Sequence, residues 1–218
     1  MELINTIELS PYDYANSEYE YPDGISKELP DEWDKFWKKC LADKKLENLK
    51  SIRKGSYLVD INSIKDSELK EILKSELQEV ELADLEDQVG RICGGIVLKI
   101  ENEFPIEPTC CGDIGNLYDW EDIFENENKD WKQLWIGHPW IFYRRVDDKI
   151  EFSDYYEANI DEIKNVKSIL KIPITDLKNK LEVIKRDQIK FERRIQMVLA
   201  EMGIKNSNRI AKLMTGNK

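Results

Sequence analysis

Apolar positions recur along this chain with two different periods. Residues 2–9 alternate and are rich in β-branched side chains, which predicts a first strand. From Pro30 the spacing changes. Trp33, Phe36, Trp37, Cys40 and Leu41 fall three and four apart on a single helical stripe. Proline suits a first-turn position, and Asp31 and Glu32 suit the positive end of the helix dipole. The pattern predicts a helix beginning at Pro30, with Cys40 in the core. Tyr57–Ile61 reads as a short strand. A second helix starting at Asp66 or Ser67 would bury Leu69, Ile72, Leu73 and Leu77. Ahead of these, Pro11–Gly24 sets Tyr12, Tyr14, Tyr19 and Tyr21 among acids and turn residues, which predicts a loop with a short extended piece. Tyrosines two apart either pack on a sheet face or form a contact surface.

Ile96, Leu98 and Ile100 alternate behind Gly94-Gly95, a strand that Pro105 and Pro108 should close. The glycine pair has no following Gly-Lys-Ser/Thr and no third spaced glycine, so it reads as a bulge or tight strand start rather than a phosphate loop. Trp131–Gly137 and Trp140–Val146 read as strands split by His138-Pro139, the proline pointing to an edge or bulge. Asp147-Asp148-Lys149 is a short connection to a return strand, Ile150–Asp154. Trp135, Trp140, Phe142 and Phe152 are expected in the core.

Ile160, Ile163, Val166, Ile169 and Leu170 predict a helix ending before Pro173. Positions 174, 177, 181, 184, 188, 191, 195, 198 and 202 then step by three and four, and only Gln188 is polar. This predicts a helix of about eight turns with a seam one stripe wide. Gly203 fits its C-terminal stop, and a short helix follows from Ser207 to Met214, capped by Asn206 or Ser207. The expected class is α+β: mostly antiparallel sheet with an aromatic hairpin, flanking helices and a long C-terminal helical segment.

Composition narrows the function. Of 218 residues, 41% are hydrophobic, enough for a core. The longest uncharged run in the aromatic stretch, Gln133–Tyr143, has 11 residues, well short of the roughly 20 a membrane helix needs. The N-terminus shows neither the basic nor the apolar region of a secretion signal. A cytoplasmic protein without membrane partners is expected. Four cysteines, two adjacent, read as thiols in a reducing compartment.

The net charge of −11 is split. Residues 159–218 hold 14 Lys/Arg against 7 Asp/Glu, whereas residues 1–158 hold 19 against 37. This suggests an acidic α+β domain over 1–158 and a basic helical segment over 159–218, docked on it. The acidic part repels phosphates, so nucleic acid is not an expected partner, and it attracts a basic protein instead.

Candidate chemistry concentrates between Pro108 and Glu157, which holds the one histidine. Tyr118–Tyr156 carries 11 of the 21 aromatic residues. Cys93, Cys110, Cys111 and His138 are zinc's preferred ligand types, although adjacent cysteines rarely share one ion. Cys110 or Cys111 with His138 and Asp113 could make a nucleophile, base and orienting acid. The bland alternative buries one cysteine and leaves the other at a turn beside Gly112. Asp113, Asp119, Glu121 and Asp122 lack calcium-loop spacing. Asp119-Trp120-Glu121-Asp122 should open a short helix as a solvated acidic rim. Tyr143, Arg144, Arg145, Tyr155 and Tyr156 are residue types that anchor interfaces. An acidic spacer separates the two aromatic clusters, and no cofactor is expected.

Leu29-Pro30-x-x-Trp33-x-x-Phe36, the Gly-Gly strand, Cys110-Cys-Gly-Asp-Ile-Gly-Asn-Leu117 and the aromatic hairpin, in that order, resemble the bacterial polymorphic-toxin immunity proteins of the SUKH-like α+β type over about residues 25–157. The resemblance implies tight binding to a cognate toxin without catalysis, and it carries over no site residue. The chain departs from that pattern in lacking Asn-Gly-Gly after the first helix and in its long basic tail. The expected function is therefore protein binding, as an immunity-type inhibitor of a basic toxin domain. The alternatives are a small cysteine- or metal-dependent hydrolase, and a homodimer formed through the helix at 174–202.

Overall fold

The computed structural model describes residues 1–81, 85–125 and 129–217. The N-terminal alternation forms strand β1 (Glu2–Glu8), followed by a single helical turn, α1 (Pro11–Tyr14), where an extended piece was expected. Helix α2 spans Pro30–Ala42 with proline at its first turn, and it buries Phe36, Trp37, Cys40 and Leu41. The strand β2 (Leu58–Asp60) and the helix α3 (Asp66–Glu76) follow as expected. The Glu68 carboxylate accepts a hydrogen bond from Lys65 N at 2.8 Å, satisfying a backbone donor ahead of α3's first turn. A short α4 (Leu85–Gln88) precedes β3 (Gly94–Ile100).

Pro105 does not close the sheet. It lies inside β4 (Glu103–Ile106), which pairs antiparallel with β3. A proline is tolerated there because β4 is an edge strand. After a 3-10 turn at Ile114–Asn116 comes α5 (Leu117–Asp122), then β5 (Lys132–Leu134), β6 (Ile141–Val146) and β7 (Lys149–Ser153). Val146 pairs with Lys149 across a two-residue turn whose first member, Asp147, has φ +55. Part of the acidic spacer, residues 126–128, lies outside the described residues.

The helix expected over 160–170 is absent. Only Ile160–Glu162 makes a 3-10 turn, and Ser168–Pro173 is strand β8, antiparallel to β7. Its true period is two: Ile172 is buried and Leu170 packs on the core, while Ile169 and Lys171 face outward. The unpaired edge of β7 supplies a ladder of backbone hydrogen bonds that outweighs the loose three-residue spacing. Two four-stranded antiparallel sheets result, in the orders β2-β1-β3-β4 and β5-β6-β7-β8, so the class is α+β.

Helix α6 (Ile174–Glu201) has 28 residues, and α7 (Ser207–Thr215) closes the chain. Between them Gly203 has φ +77. Gly203 N donates to Ala200 O and Ile204 N to Leu199 O, the paired bonds of a Schellman stop. Leu177, Leu181, Ile184, Gln188, Phe191, Ile195 and Val198 are all buried, so the seam is covered by the chain's own fold.

The described residues cluster into two compact units, and these do not follow the charge boundary at 158/159. The sheet unit is Met1–Asn5 with Cys93–Gln188, and the tyrosine unit is Thr6–Ile92 with Ile189–Lys218. The sheet unit's core joins Ile96 and Leu98 of β3, Leu117 and Trp120 of α5, Ile141 and Phe152 of the hairpin, and Leu177, Leu181 and Ile184 of α6.

Candidate functional site

The cysteine segment folds into a corner stitched by backbone. Cys93 bridges Asp113 and Cys110 bridges His138 as isolated antiparallel pairs. Gly94 N donates to Gly112 O at 3.0 Å, and Thr109 N donates to Ile136 O at 2.9 Å. Gly137 is required there, because its φ is +106 and a Cβ would fall 2.6 Å from Thr109 O. The Cys110 and Cys111 sulfurs lie 3.4 Å apart, with Cys111 at φ +68. Backbone pairing therefore brings Cys93 beside Asp113 and Cys110, next to Cys111, beside His138.

Their side chains are engaged elsewhere. Asp113 Oδ1 accepts from Gly115 N at 2.7 Å and so caps the 3-10 turn. His138 Nε2 lies 3.1 Å from the Glu157 carboxylate, and its ring stands edge-on to Trp140 at 4.5 Å. Cys93, Cys110 and Cys111 are all exposed, and Cys40 alone is buried. No group of three or more His, Cys, Asp or Glu among the described residues is arranged to hold a metal ion.

The expected acidic and aromatic rim is redistributed. Trp120 is fully buried, with its ring 5.8 Å from that of Phe152, so it is core and not rim. Leu117, Trp120 and Ile123 lie three apart, which turns the tryptophan inward. Asp119-Trp120-Glu121-Asp122 lies in the expected short helix, α5, which begins two residues earlier at Leu117 and has Asp119 in its first turn. Glu121 pairs with Lys185 at 2.6 Å, and Asp122 is exposed. Tyr143 is also buried, which removes it from any contact patch. Trp135, expected in the core, is 46% exposed, because Leu134 and Ile136 on either side take the inward positions.

The Tyr155 hydroxyl accepts from Glu107 N at 2.7 Å and donates to Glu107 O at 3.0 Å. The Tyr156 hydroxyl accepts from Lys167 N. Both rings therefore serve the fold. Arg145 is half-buried. Arg144 Nε and Nη2 both reach Glu151 Oε2 at 2.7 Å, and the guanidinium lies 4.6 Å from the Trp131 ring centre. Glu151 also pairs with Lys171. Lys171 first, and then Arg144, hold its carboxyl below the usual range against the opposing effect of burial.

The tyrosine unit carries what the sequence reading left undecided. Tyr14 is buried, Tyr19 is half-buried, and Tyr12 and Tyr21 are each 57% exposed. Tyr12, Tyr19, Tyr21 and Phe36, with Glu18, line a cavity of about 300 Å³. The rings form a row: Tyr12 to Tyr21 is 5.8 Å between centres, Tyr21 to Phe36 is 5.4 Å and Phe36 to Trp33 is 5.5 Å. A second hollow lies beside Tyr21 and Phe36, edged by Glu20, Asp23 and Glu32 and by Lys35 and Lys39.

The loop is pinned to the end of α2. Asn16 N donates to Asp43 Oδ2 at 2.7 Å, and the Tyr19 hydroxyl donates to the same carboxylate at 2.8 Å. Those bonds, Asn16's first, hold the Asp43 carboxyl below the usual range. Lys39 Nζ sits 4.3 Å over the Tyr19 ring. Residues 10–32 contain seven acids and one lysine. Four tyrosines inside so acidic a segment were the signal that could have singled out this loop.

No family model, no curated protein and no solved structure matches this chain.

Proposed function

We propose that this protein is a cytoplasmic protein-binding protein, an immunity-type inhibitor that holds a basic toxin domain. The observation that carries the reading is the exposed Tyr12–Tyr21 pair, backed by the buried Phe36, in a segment (residues 10–32) of seven acids and one lysine. Aromatic rings supply buried contact area at low entropic cost, and surrounding acids steer a cationic partner onto them. The acidic excess of residues 1–158 extends that field. No helix among the described residues is long and apolar enough to cross a membrane.

The test is calorimetric titration of the purified chain with the toxin domain encoded beside its gene. Binding should be tight at low salt, and its association rate should fall steeply as ionic strength rises. An absence of association at low salt ends this reading. For the hydrolase alternative, His138→Ala is the discriminating variant: a hydrolase loses turnover, whereas a binder keeps its affinity.

A further inference from the structure

We infer that the cavity framed by Tyr12, Tyr19, Tyr21 and Phe36 is a receptor for one arginine side chain of the partner. The inference rests on the protein-binding reading and adds the ligand's chemistry. Three features point to a cation with a flat, weakly hydrated body. Four of the cavity's ten lining residues are aromatic, and ring quadrupoles attract positive charge. The Tyr19 ring already carries a cation of this chain's own, Lys39 at 4.3 Å, while Tyr12 and Tyr21 stay 57% exposed. A carboxylate, Glu18, belongs to the lining, and the adjoining hollow has three acids, Glu20, Asp23 and Glu32, against two lysines, Lys35 and Lys39.

Guanidinium fits this set better than ammonium. It is planar and stacks on rings, and its fork of donors matches a carboxylate. A lysine head, compact and strongly hydrated, loses more water on entering between rings. A purely apolar side chain would gain nothing from the three carboxylates, which outnumber Lys35 and Lys39 in the adjoining hollow. The volume, about 300 Å³, is small for a folded element and ample for one long side chain.

The site is also preorganised. Asp43 holds both the Asn16 backbone and the Tyr19 hydroxyl, and Trp33 Nε1 donates to Gly24 O at 2.8 Å, tying the far end of the loop to α2. A loop fixed at both ends loses little further entropy when a ligand arrives.

The experiment uses the full chain, isotope-labelled, with a blocked Gly-Arg-Gly peptide as probe and its citrulline and lysine counterparts as controls. Saturable shifts are expected at the Trp33 indole and at the amides of residues 12–21. Citrulline, isosteric but neutral, should bind at least about tenfold more weakly, with lysine between. Tyr12→Ala and Tyr21→Ala remove exposed rings and should each weaken arginine binding roughly 2- to 30-fold. Equal binding by citrulline, unchanged affinity in both variants, or no saturable shift at these amides overturns the inference. If the toxin domain still binds the Tyr12→Ala/Tyr21→Ala double variant undiminished, the inference fails and the protein-binding reading stands. If the arginine peptide binds while the toxin domain does not, the reading fails and the pocket stands.

Discussion

Asn5 Nδ2 donates a hydrogen bond to Gln188 Oε1 at 2.9 Å, with both side chains essentially removed from water. Gln188 is the one polar position in an otherwise apolar helical seam, and Asn5 explains it. Replacing Gln188 with Leu restores the apolar pattern but strands the Asn5 amide. A buried donor without a partner costs about 1–3 kcal/mol, more than one added leucine returns in a site shaped for an amide. Urea unfolding should show a lower midpoint for Gln188→Leu at unchanged slope.

Glu151 faces Arg144 on one neighbouring strand and Lys171 on the other, because the register of β6, β7 and β8 puts all three in line. Its carboxyl is held below the ordinary 4.5. A depressed folded pKa contributes stability above the unfolded value, and that contribution is lost as pH falls through the folded one. Glu151→Gln should therefore cost about 1.5–3 kcal/mol at neutral pH. The gap to wild type should close below pH 4.5, read from thermal midpoints across pH.

Glu8 behaves in the opposite sense. Burial, and then the nearby Asp13 charge, push its carboxyl above 4.5. A raised folded pKa means stability that is present at low pH and lost as pH rises through it. Glu8→Gln should raise the melting temperature at pH 7, with the gain vanishing in acid.

Arg194 ties α6 to the loop before α3. It donates to Ile61 O at 3.2 Å, to Ile64 O and to Asp66 Oδ1 at 2.7 Å. Three acceptors fanned around one planar group suit a guanidinium and not an ammonium. Arg194→Ala should lose about 1.5–3 kcal/mol, and Arg194→Lys should recover only a fraction, measured by denaturant unfolding.

Thiol accessibility gives a quick check on the cysteine corner. Cys93, Cys110 and Cys111 are exposed and Cys40 is buried. Three thiols should react promptly with a chromogenic disulfide reagent in native buffer, and the fourth only in denaturant. Cys40→Ser should leave the native count unchanged.

The parts legible from sequence were those where local period and tertiary burial agree. The stripe from Trp33 to Leu41 and the seam from Leu177 to Val198 are examples, since a long helix repeats its signal many times. The hairpin at Asp147-Asp148 was legible because its turn chemistry is local. What escaped depends on partners distant in the chain. Ile160 to Leu170 carry helical spacing, yet Ser168–Pro173 pairs with β7, whose free edge no local pattern announces. Trp120 looked solvated among acids and is buried because Leu117 and Ile123 share its face. The tyrosine cavity escaped for a related reason. Phe36 on α2 completes a wall begun by Tyr12 and Tyr21, and only folding brings them within 6 Å.

The chain passes between its two units three times, after Asn5, after Ile92 and after Gln188, the first and last directly beyond the bonded pair. Neither unit is therefore one uninterrupted piece of polypeptide. A fragment truncated at residue 158 would forfeit β8, leaving β7 as a bare edge ready to recruit foreign strands. It would also lose the α6 residues that roof the core of the sheet unit. Any attempt to separate the acidic portion from the basic one by trimming should yield aggregate instead of two working halves, so surface substitutions rather than deletions are the route to dissecting this protein.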